Sequence, residues 1–312
     1  MRFFIKSLFC FILFIPLFYV LMVFIWGSCA PRVLKPNLMY PLGMFDHNYT
    51  RLSEVKKETD IDILFLGSSL AYREFDTRIF RAEGYKTFNL GSSSQTPLQT
   101  KVLLNRYLKR LNPKLIIYEV DPDSFTLDGI ESALGIIAND INDFGSVKMA
   151  LKLNNIKVYN ALIYGFLRDV FNLNSTFVEP VKQGDEKYVE GGFVEREIKF
   201  FRTVAYPKQN WSFNIDQAKA FDEIISMIRQ KNIETILVFP PYTASLCNSY
   251  MNNDAFDGFM KSRGKYYNLN NKLNLSDSLD FYDMFHLNQN GVRKFNKEVI
   301  EILNNSESPA EK

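Results

Sequence analysis

A serine near the start of the chain occupies a position that suits a nucleophile. Residues 61–70 read IDILFLGSSL, an apolar run that ends in Gly67, Ser68 and Ser69. Such a run predicts a short buried strand, and the Gly-Ser-Ser turn would lead from it into a helix. A hydroxyl at this turn lies beside unpaired helix N–H groups, which stabilise an anionic intermediate. We therefore predict that Ser69 is a nucleophile, although the triplet alone is also typical of ordinary loops.

A histidine near the other end of the chain could activate this serine. The sequence holds only two histidines, His47 and His286, and Asp283 precedes His286 by three residues. At this spacing the carboxylate can turn onto the ring, fix its tautomer and stabilise the imidazolium that forms when Ser69 loses its proton. His47 has no second metal ligand nearby, so we expect it to be solvated and predict no metal site. The predicted catalytic residues are Ser69, His286 and Asp283.

Two further predicted strands end at the same edge of the sheet. Residues 85–90 lead into Gly91, and residues 115–120 lead into Asp121. A glycine at a strand end lets its N–H approach a substrate oxygen closely. We therefore predict an oxyanion hole made by the N–H groups of Ser69 and Gly91. The predicted residues at the edge of the site are Ser68, Gln95 and Asp121.

The composition is that of a globular protein with a hydrophobic segment at its start. The 312 residues are 46% hydrophobic and 23% charged, with a net charge of +2. No basic run with interleaved aromatics is present, so we predict no nucleic-acid partner. The apolar run Leu8 to Trp26 is long enough to cross a hydrocarbon core of ~30 Å. We predict a signal anchor over residues 1–30 in the cytoplasmic membrane, with the rest of the chain on the extracytoplasmic side, periplasmic or extracellular.

Two alternatives for this segment stay open. It could be a cleaved signal peptide, which the length of the run and Pro31 disfavour, or it could be lipidated at Cys29, because Gly27-Ser28-Cys29 partly matches a lipoprotein site. In all three interpretations the domain is exported from the cytoplasm.

The remaining sequence predicts one α/β domain. Residues 31–59 show no sustained period and predict a stalk or strap, residues 60–305 form the domain, and residues 306–312 have the composition of a disordered tail. Apolar strands alternate with amphipathic helices, which predicts a three-layer α/β/α sandwich with a mainly parallel five-stranded sheet. Residues 126–214 are too long for a simple crossover and predict an insertion. Its aromatic residues could either recognise a ligand or pack the insertion against the core.

These motifs resemble the SGNH/GDSL hydrolase superfamily. Its first block matches Gly67-Ser68-Ser69-Leu70, its second matches Gly91, and its Asp-x-x-His block matches Asp283 and His286. The third block departs from the family pattern Gly-x-Asn-Asp. This chain has Tyr118-Glu119-Val120-Asp121-Pro122 there, and an ionised Asp121 can only accept hydrogen bonds.

Other features resemble the membrane-anchored branch of that superfamily. They are the Ser-Gln after the second glycine, the Pro-x-x-Phe after the third strand and the N-terminal anchor. This branch includes the D protein of teichoic-acid D-alanylation and SGNH-like factors of polysaccharide O-acetylation. The motifs cover residues 60–125 and 232–300 and say little about the middle of the chain.

The resemblance implies a serine esterase, or an acyltransferase if a sugar hydroxyl replaces water as the acceptor. We expect its substrate to be acyl esters, O-acetyl esters foremost, of cell-envelope polysaccharide or another acylated glycan, without a cofactor. A non-catalytic glycan-binding or assembly factor that works with a membrane-bound O-acyltransferase is one alternative. A lipolytic esterase is another, and it would need a long apolar cleft.

Overall fold

The fold is built on parallel strands joined by helical crossovers. We describe it from a computed structural model, which defines residues 1–44, 46–270 and 272–307. The strands within these residues are β1 (Ile63–Leu66), β2 (Thr87–Asn89), β3 (Leu115–Glu119), β4 (Lys182–Gln183), β5 (Glu186–Val189), β6 (Phe193–Arg196), β7 (Glu234–Phe239) and β8 (Lys265–Asn268). Five of them form the main sheet in the order β2-β1-β3-β7-β8, with every neighbouring pair parallel. The other three form a small antiparallel sheet.

The helices cover both faces of the main sheet. Within the described residues they are α1 (Arg2–Cys29), α2 (Asn48–Glu54), α3 (Ser69–Glu74), α4 (Thr77–Ala82), α5 (Pro97–Leu111), α6 (Ile130–Asn139), α7 (Phe144–Leu153), α8 (Ile156–Val170), α9 (Ile215–Gln230), α10 (Ala244–Cys247), α11 (Asn253–Lys261) and α12 (Gln289–Glu307). Short 3-10 turns lie at Arg32–Leu34 and Asp123–Phe125.

Side chains that alternate along the strands fill two cores. Leu64 and Leu66 of β1 pack with α5, α9 and α11 on one face, whereas Ile63 and Phe65 pack with α3, α4 and α12 on the other. This alternation follows from the period of two along a strand, and both faces are buried because helices lie over each of them. The predicted three-layer α/β/α class with a five-stranded sheet is confirmed.

Two local predictions need correction. Residues 248–274 are rich in Asn, Lys and Tyr, which predicts a mostly surface-like segment, but they hold α11 and the fifth strand, β8, which pairs with β7 at the sheet edge. The sequence also predicts one helix around residues 147–171, but α7 ends at Leu153, its C-cap Asn154 has a φ of +45°, and α8 begins after Asn155. Asparagine tolerates this left-handed conformation and ends helices for that reason. Of the predicted tail, residues 308–312 lie outside the described residues, and α12 continues to Glu307.

The N-terminal helix is attached to the insertion. α1 is long and apolar enough to cross a membrane, and most of it is exposed. Its last turns pack closely on α8. A Cβ atom added at Gly27 would lie only 2.6 Å from the ring of Tyr164 and would clash with it. The Tyr19 hydroxyl donates to Asn160 Oδ1 at 2.5 Å. The helix is therefore a candidate membrane span whose C-terminal end is fixed to the domain.

The stretch after α1 lies along the domain as a strap. Arg51 of α2 is fully buried and donates through Nε to the Gly192 carbonyl at 2.9 Å. His47 was expected to be solvated, but it is 1% exposed, and its ring lies 5.8 Å from that of Tyr188. The expectation was wrong because the strap passes under the β4-β5-β6 sheet, and burial lowers the pKa of His47.

Two of the aromatics in the insertion belong to the core. Phe193 and Trp211 are buried, and the Trp211 ring stacks on Tyr250 and donates to Asn253 Oδ1 at 2.7 Å. Phe200, in contrast, is 63% exposed. For Phe193 and Trp211, core packing is the alternative that the structure favours.

This difference predicts opposite responses to truncation. Trp211→Ala should lower the free energy of unfolding by about 3–5 kcal/mol, because it removes a buried indole and leaves a cavity. Phe200→Ala, a matched control, should change it by about 0.5 kcal/mol or less. Urea denaturation of the full chain in detergent micelles measures both values. Equal effects of the two substitutions would contradict this assignment.

Candidate active site

The turn between β1 and α3 places Ser69 at the edge of the sheet. Gly67 has a φ of +141°, and a Cβ there would lie 2.7 Å from the Cβ of Glu119, so both conformation and space require glycine. Ser68 is the N-cap of α3, and its hydroxyl accepts from the Leu70 N–H at 3.3 Å. Ser69 is the first residue of the helix, where backbone N–H groups have no intrahelical acceptor. Its amide is therefore suited to stabilise an anion.

The structure brings together the three residues that the sequence predicted. Ser69 Oγ lies 2.8 Å from His286 Nε2, and His286 Nδ1 lies 2.8 and 2.9 Å from the carboxylate oxygens of Asp283. Burial raises the pKa of Asp283, but hydrogen bonds from the ring and backbone of His286 and from the Phe285 N–H outweigh it and lower that pKa to about 2. An ionised Asp283 requires a proton on Nδ1, which leaves Nε2 to accept the Ser69 proton.

A buried contact fixes the histidine loop against α3. The side chain of Glu74, in the last turn of α3, accepts from the Leu287 N–H at 3.3 Å. Asn296 of α12 donates to the Glu74 carbonyl at 2.6 Å. Burial raises the pKa of the Glu74 carboxyl well above its usual value. Glu74 thus joins the helix of Ser69 to the loop of His286.

The turn Gly67-Ser68-Ser69, called the nucleophile turn below, is supported by Glu119. The sequence reasoning did not single out Glu119. Its Oε2 accepts from the Ser68 N–H at 2.6 Å and from the Ser68 hydroxyl at 2.9 Å. Burial and the nearby charge of Asp121 raise the pKa of Glu119 well above its usual value. The available signal was a glutamate that closes the otherwise apolar strand β3, LIIYE, at a buried position.

Gly91 does not offer the free N–H that was predicted. Its N–H donates to Asn89 Oδ1 at 3.0 Å, and a Cβ on Gly91 would lie 2.7 Å from the Ser68 carbonyl oxygen. The glycine is therefore needed for close packing against the nucleophile turn. Because its amide already has an acceptor, a second oxyanion donor has to come from other groups on the cavity wall, which includes Ser93 and Ser94.

Ser69 and His286 open onto a cavity of about 450 Å³. Ser68 and Asp121 line it, as predicted for the edge of the site. Gln95 instead lies behind the wall, 1% exposed, where it donates to Thr100 Oγ1 at 2.9 Å and accepts from the Ser92 hydroxyl at 2.7 Å. Its role is to hold the loop, because both ends of its amide are bonded inside the protein.

The wall that carries Ser69 and its neighbours includes two arginines, each paired with carboxylates, that the sequence reasoning did not single out. Arg73 of α3 forms an ion pair with Asp46 of the strap and another, at 2.7 Å, with Glu186 of the insertion. Arg196 also contacts Glu186, at 2.9 Å, and its guanidinium lies 3.8 Å from the Asp283 carboxylate. The strap and the insertion therefore both contribute to the site.

Two further aspartates line the cavity, and one of them, Asp121, lies 3.5 Å from the Ser68 hydroxyl. Asp121 accepts from the Tyr242 hydroxyl at 2.9 Å, and Asp123 lies close by. Burial, followed by the charge of Asp121, raises the pKa of Asp123 to about 7. Among the described residues no cluster of three or more His, Cys, Asp or Glu is arranged to hold a metal ion.

Comparisons with known proteins give matches in structure only. No family profile and no curated protein sequence matches the chain. Similar crystal structures include a candidate acylhydrolase from Bacteroides fragilis (11% identity, TM-score 0.43, covering 82% of this chain and 95% of that one). A GDSL-like lipase from Bacteroides thetaiotaomicron has 12% identity and a TM-score of 0.43, covering 83% and 98%. A candidate platelet activating factor from Streptococcus pneumoniae has 11% identity and a TM-score of 0.44, covering 82% and 92%. Likenesses of this strength carry no argument about activity.

The position of Glu119 predicts different effects of two substitutions. Glu119→Ala leaves the buried Ser68 N–H without an acceptor and loosens the turn, so kcat for a short-chain aryl ester should fall about 100-fold, as expected for a misplaced nucleophile. Glu119→Gln keeps an acceptor oxygen and should retain most of kcat. KM should change little in both variants, because Glu119 does not contact the cavity. Equal losses of kcat in the two variants would contradict a positioning role.

The raised pKa of Asp123 predicts a pH-dependent stability. The folded state holds this proton more tightly than the unfolded state, so the stability that it contributes is present below about pH 4 and lost as pH rises through about 7. Asp123→Asn should therefore unfold at a higher temperature than the wild type at pH 8, with no difference at pH 4. Asp62→Asn is the control of opposite sign, because hydrogen bonds to Lys114 and Lys86 lower the pKa of Asp62. A pH-independent effect of Asp123→Asn would refute the shift.

Proposed function

We propose that this protein is a serine esterase or acyltransferase of the SGNH type that acts on acyl esters, O-acetyl esters foremost, of cell-envelope polysaccharide. The observation that carries the proposal is the continuous hydrogen-bond chain from Ser69 through His286 to Asp283 at the mouth of a polar cavity. These are the nucleophile, the base and the group that orients the base in acyl transfer.

The proposed reaction has two stages. His286 Nε2 takes the Ser69 proton as Oγ attacks the ester carbonyl, and the Ser69 N–H at the start of α3 stabilises the resulting oxyanion. The C–O bond to the leaving alcohol then breaks, and His286 returns the proton to that alcohol. In the second stage His286 takes a proton from water or a sugar hydroxyl, which attacks the acyl-enzyme. The bond between the acyl carbon and Ser69 Oγ then breaks, His286 returns the proton to Oγ, and the acid or the new ester is released.

The lining of the cavity supports a polar substrate. The residues that line it include five serines, three aspartates and two arginines, and its apolar members are Leu70, Leu127 and Phe285, with tyrosines 72 and 242. A long acyl chain would need a continuous apolar groove, whereas a glycan offers many hydroxyls to such a wall. This composition argues against the lipolytic alternative. Polysaccharide of the cell envelope fits a domain attached to a candidate membrane span.

The hydrogen bond that occupies the Gly91 N–H favours a second candidate function. Because its N–H is bonded to Asn89, the site has one well-placed backbone donor, at Ser69, and oxyanion stabilisation would be weak. A glycan-binding factor that presents its ligand to a membrane-bound O-acyltransferase needs the cavity but not the oxyanion hole.

Substitution of the nucleophile, combined with a panel of substrates, separates these functions. The full chain in detergent is assayed in parallel for turnover of acetylated polysaccharide, a short-chain aryl ester and a phospholipid. We expect turnover of the first two, and Ser69→Ala should lower it about 10⁴-fold or more. Ser226→Ala, on the exposed side of α9, is the matched control and should leave turnover unchanged.

Three outcomes would contradict the proposal. Hydrolysis confined to phospholipid would assign the site to lipids. Glycan binding without turnover of any ester would favour the assembly-factor function. Full activity of Ser69→Ala would place the nucleophile elsewhere.

A further inference from the structure

A second cavity lies where α1 meets the domain. It has a volume of about 460 Å³ and is enclosed by the last turns of α1, the strap and α8. Its cationic lining residues are Arg32, Lys35, Lys157 and Arg168, and it has no acidic lining residue. The rest of the wall is apolar or aromatic and includes Leu38, Tyr40 and Tyr164. The cavity is therefore cationic on one side and apolar on the other.

Two of the four cations are held in place by neutral partners. Arg168 donates to Asn174 Oδ1 at 2.8 Å and to the hydroxyl of Tyr164 at 3.1 Å. Lys35 Nζ donates to the Gly27 carbonyl at 2.8 Å, near the C-terminal end of α1, where a cation is favourable. Their positions are thus fixed, while their charges are not neutralised by these bonds.

The cationic residues of this cavity have no ion-pair partner among the described residues. None of the ion pairs among the described residues involves any of the four cations. Arg32 and Lys157 are exposed. Asp169, next to Arg168 in the chain, accepts from Asn142 at 2.9 Å and is not a lining residue, and its single charge is outnumbered by the four cations. Four like charges around one small space repel each other, so an anion that enters it is favoured.

The place of the cavity in the chain sets the kind of anion. α1 ends at Cys29, and the cavity is lined by Gly27 and by residues that follow within about fifteen positions. If α1 crosses a bilayer, this end of it lies at the level of the lipid headgroups. Val33 and Leu34, beside the cavity, are 83% and 54% exposed, as expected for side chains that face the boundary between lipid and water.

We propose that this cavity binds the phosphate group of an anionic lipid in the membrane that α1 enters. The guanidinium of Arg168 and the ammonium of Lys35 form the inner part of the site, and Arg32 and Lys157 close it from the outside. Arginine and lysine both bind phosphate through charge-assisted hydrogen bonds. The apolar wall accommodates the glycerol and the first methylenes of the lipid.

The strap connects this site to the Ser69 cavity. Met44 lines the cationic cavity and Asp46 lines the other, and two residues of chain span at most about 7 Å. A lipid bound at the first site would therefore hold the strap, and with it the ion pair between Asp46 and Arg73, in a fixed position relative to the bilayer.

Native mass spectrometry of the full chain in detergent tests the proposal. The protein is titrated with phosphatidylglycerol and with zwitterionic phosphatidylcholine. We expect phosphatidylglycerol to bind about tenfold more tightly, and Arg32→Gln with Lys157→Gln to remove that preference, because these two charges face the lipid phosphate. The matched control is Lys109→Gln with Lys231→Gln, which removes the same charge from exposed positions elsewhere. It should bind like the wild type.

The folded state of the variants is checked by their thermal unfolding, which should match the wild type because the side chains of Arg32 and Lys157 are exposed. Equal affinity for the two lipids, or equal binding by the two double variants, would overturn the proposal. So would displacement of phosphatidylglycerol by inorganic phosphate or glycerol phosphate at the same concentration, because the ligand would then be a soluble phosphate. If the proposed esterase activity fails its own test, this experiment is unaffected, because its readout is lipid binding.

Discussion

The contact between Glu119 and the turn at Gly67 is the constraint on which the site depends. The glutamate at the end of β3 occupies the space under β1, so residue 67 can have no side chain. With glycine there, the carboxyl reaches both the amide and the hydroxyl of Ser68. Ser68 then caps α3, and Ser69 becomes the first residue of that helix with its amide free of intrahelical bonds. The direction in which Ser69 points is thus set by a residue on the neighbouring strand.

Burial raises the pKa of two acids near Ser69, and both acids connect elements of the site. Glu119 lies under the nucleophile turn, and Glu74 lies between α3 and the loop of His286. The pKa of each is raised because each is buried. A raised pKa favours the protonated form, which can donate as well as accept hydrogen bonds. The pKa of Asp283, in contrast, is lowered to about 2, so its carboxylate can stabilise the imidazolium.

The parts that the sequence predicted are those set by local patterns. The apolar run before Ser69, the three-residue spacing of Asp283 and His286, and the alternation of strands and helices each depend on neighbours in the chain. β8 was missed because an edge strand reading KYYN is half-exposed and lacks an apolar period.

The parts that were not predicted depend on contacts between distant residues. Nothing in the spacing shows that the Asn89 side chain would take the Gly91 amide, or that burial would enclose His47. Arg73, Asp46 and Glu186 come from three segments that meet only after folding. Ion pairs between residues that are distant in the chain produce no periodic pattern in a sequence.

The separation between Ser69 and its base has a consequence for the synthesis of the protein. The two residues are 217 positions apart, and the partner of the Ser69 hydroxyl lies just before the last helix. At translation rates of about 5–20 residues per second, the serine exists for about 10–40 s before His286 has been made. During this time it is an ordinary alcohol, because no imidazole can take its proton. A chain that ends before His286 would carry Ser69 without its base and would remain inert toward the esters around it.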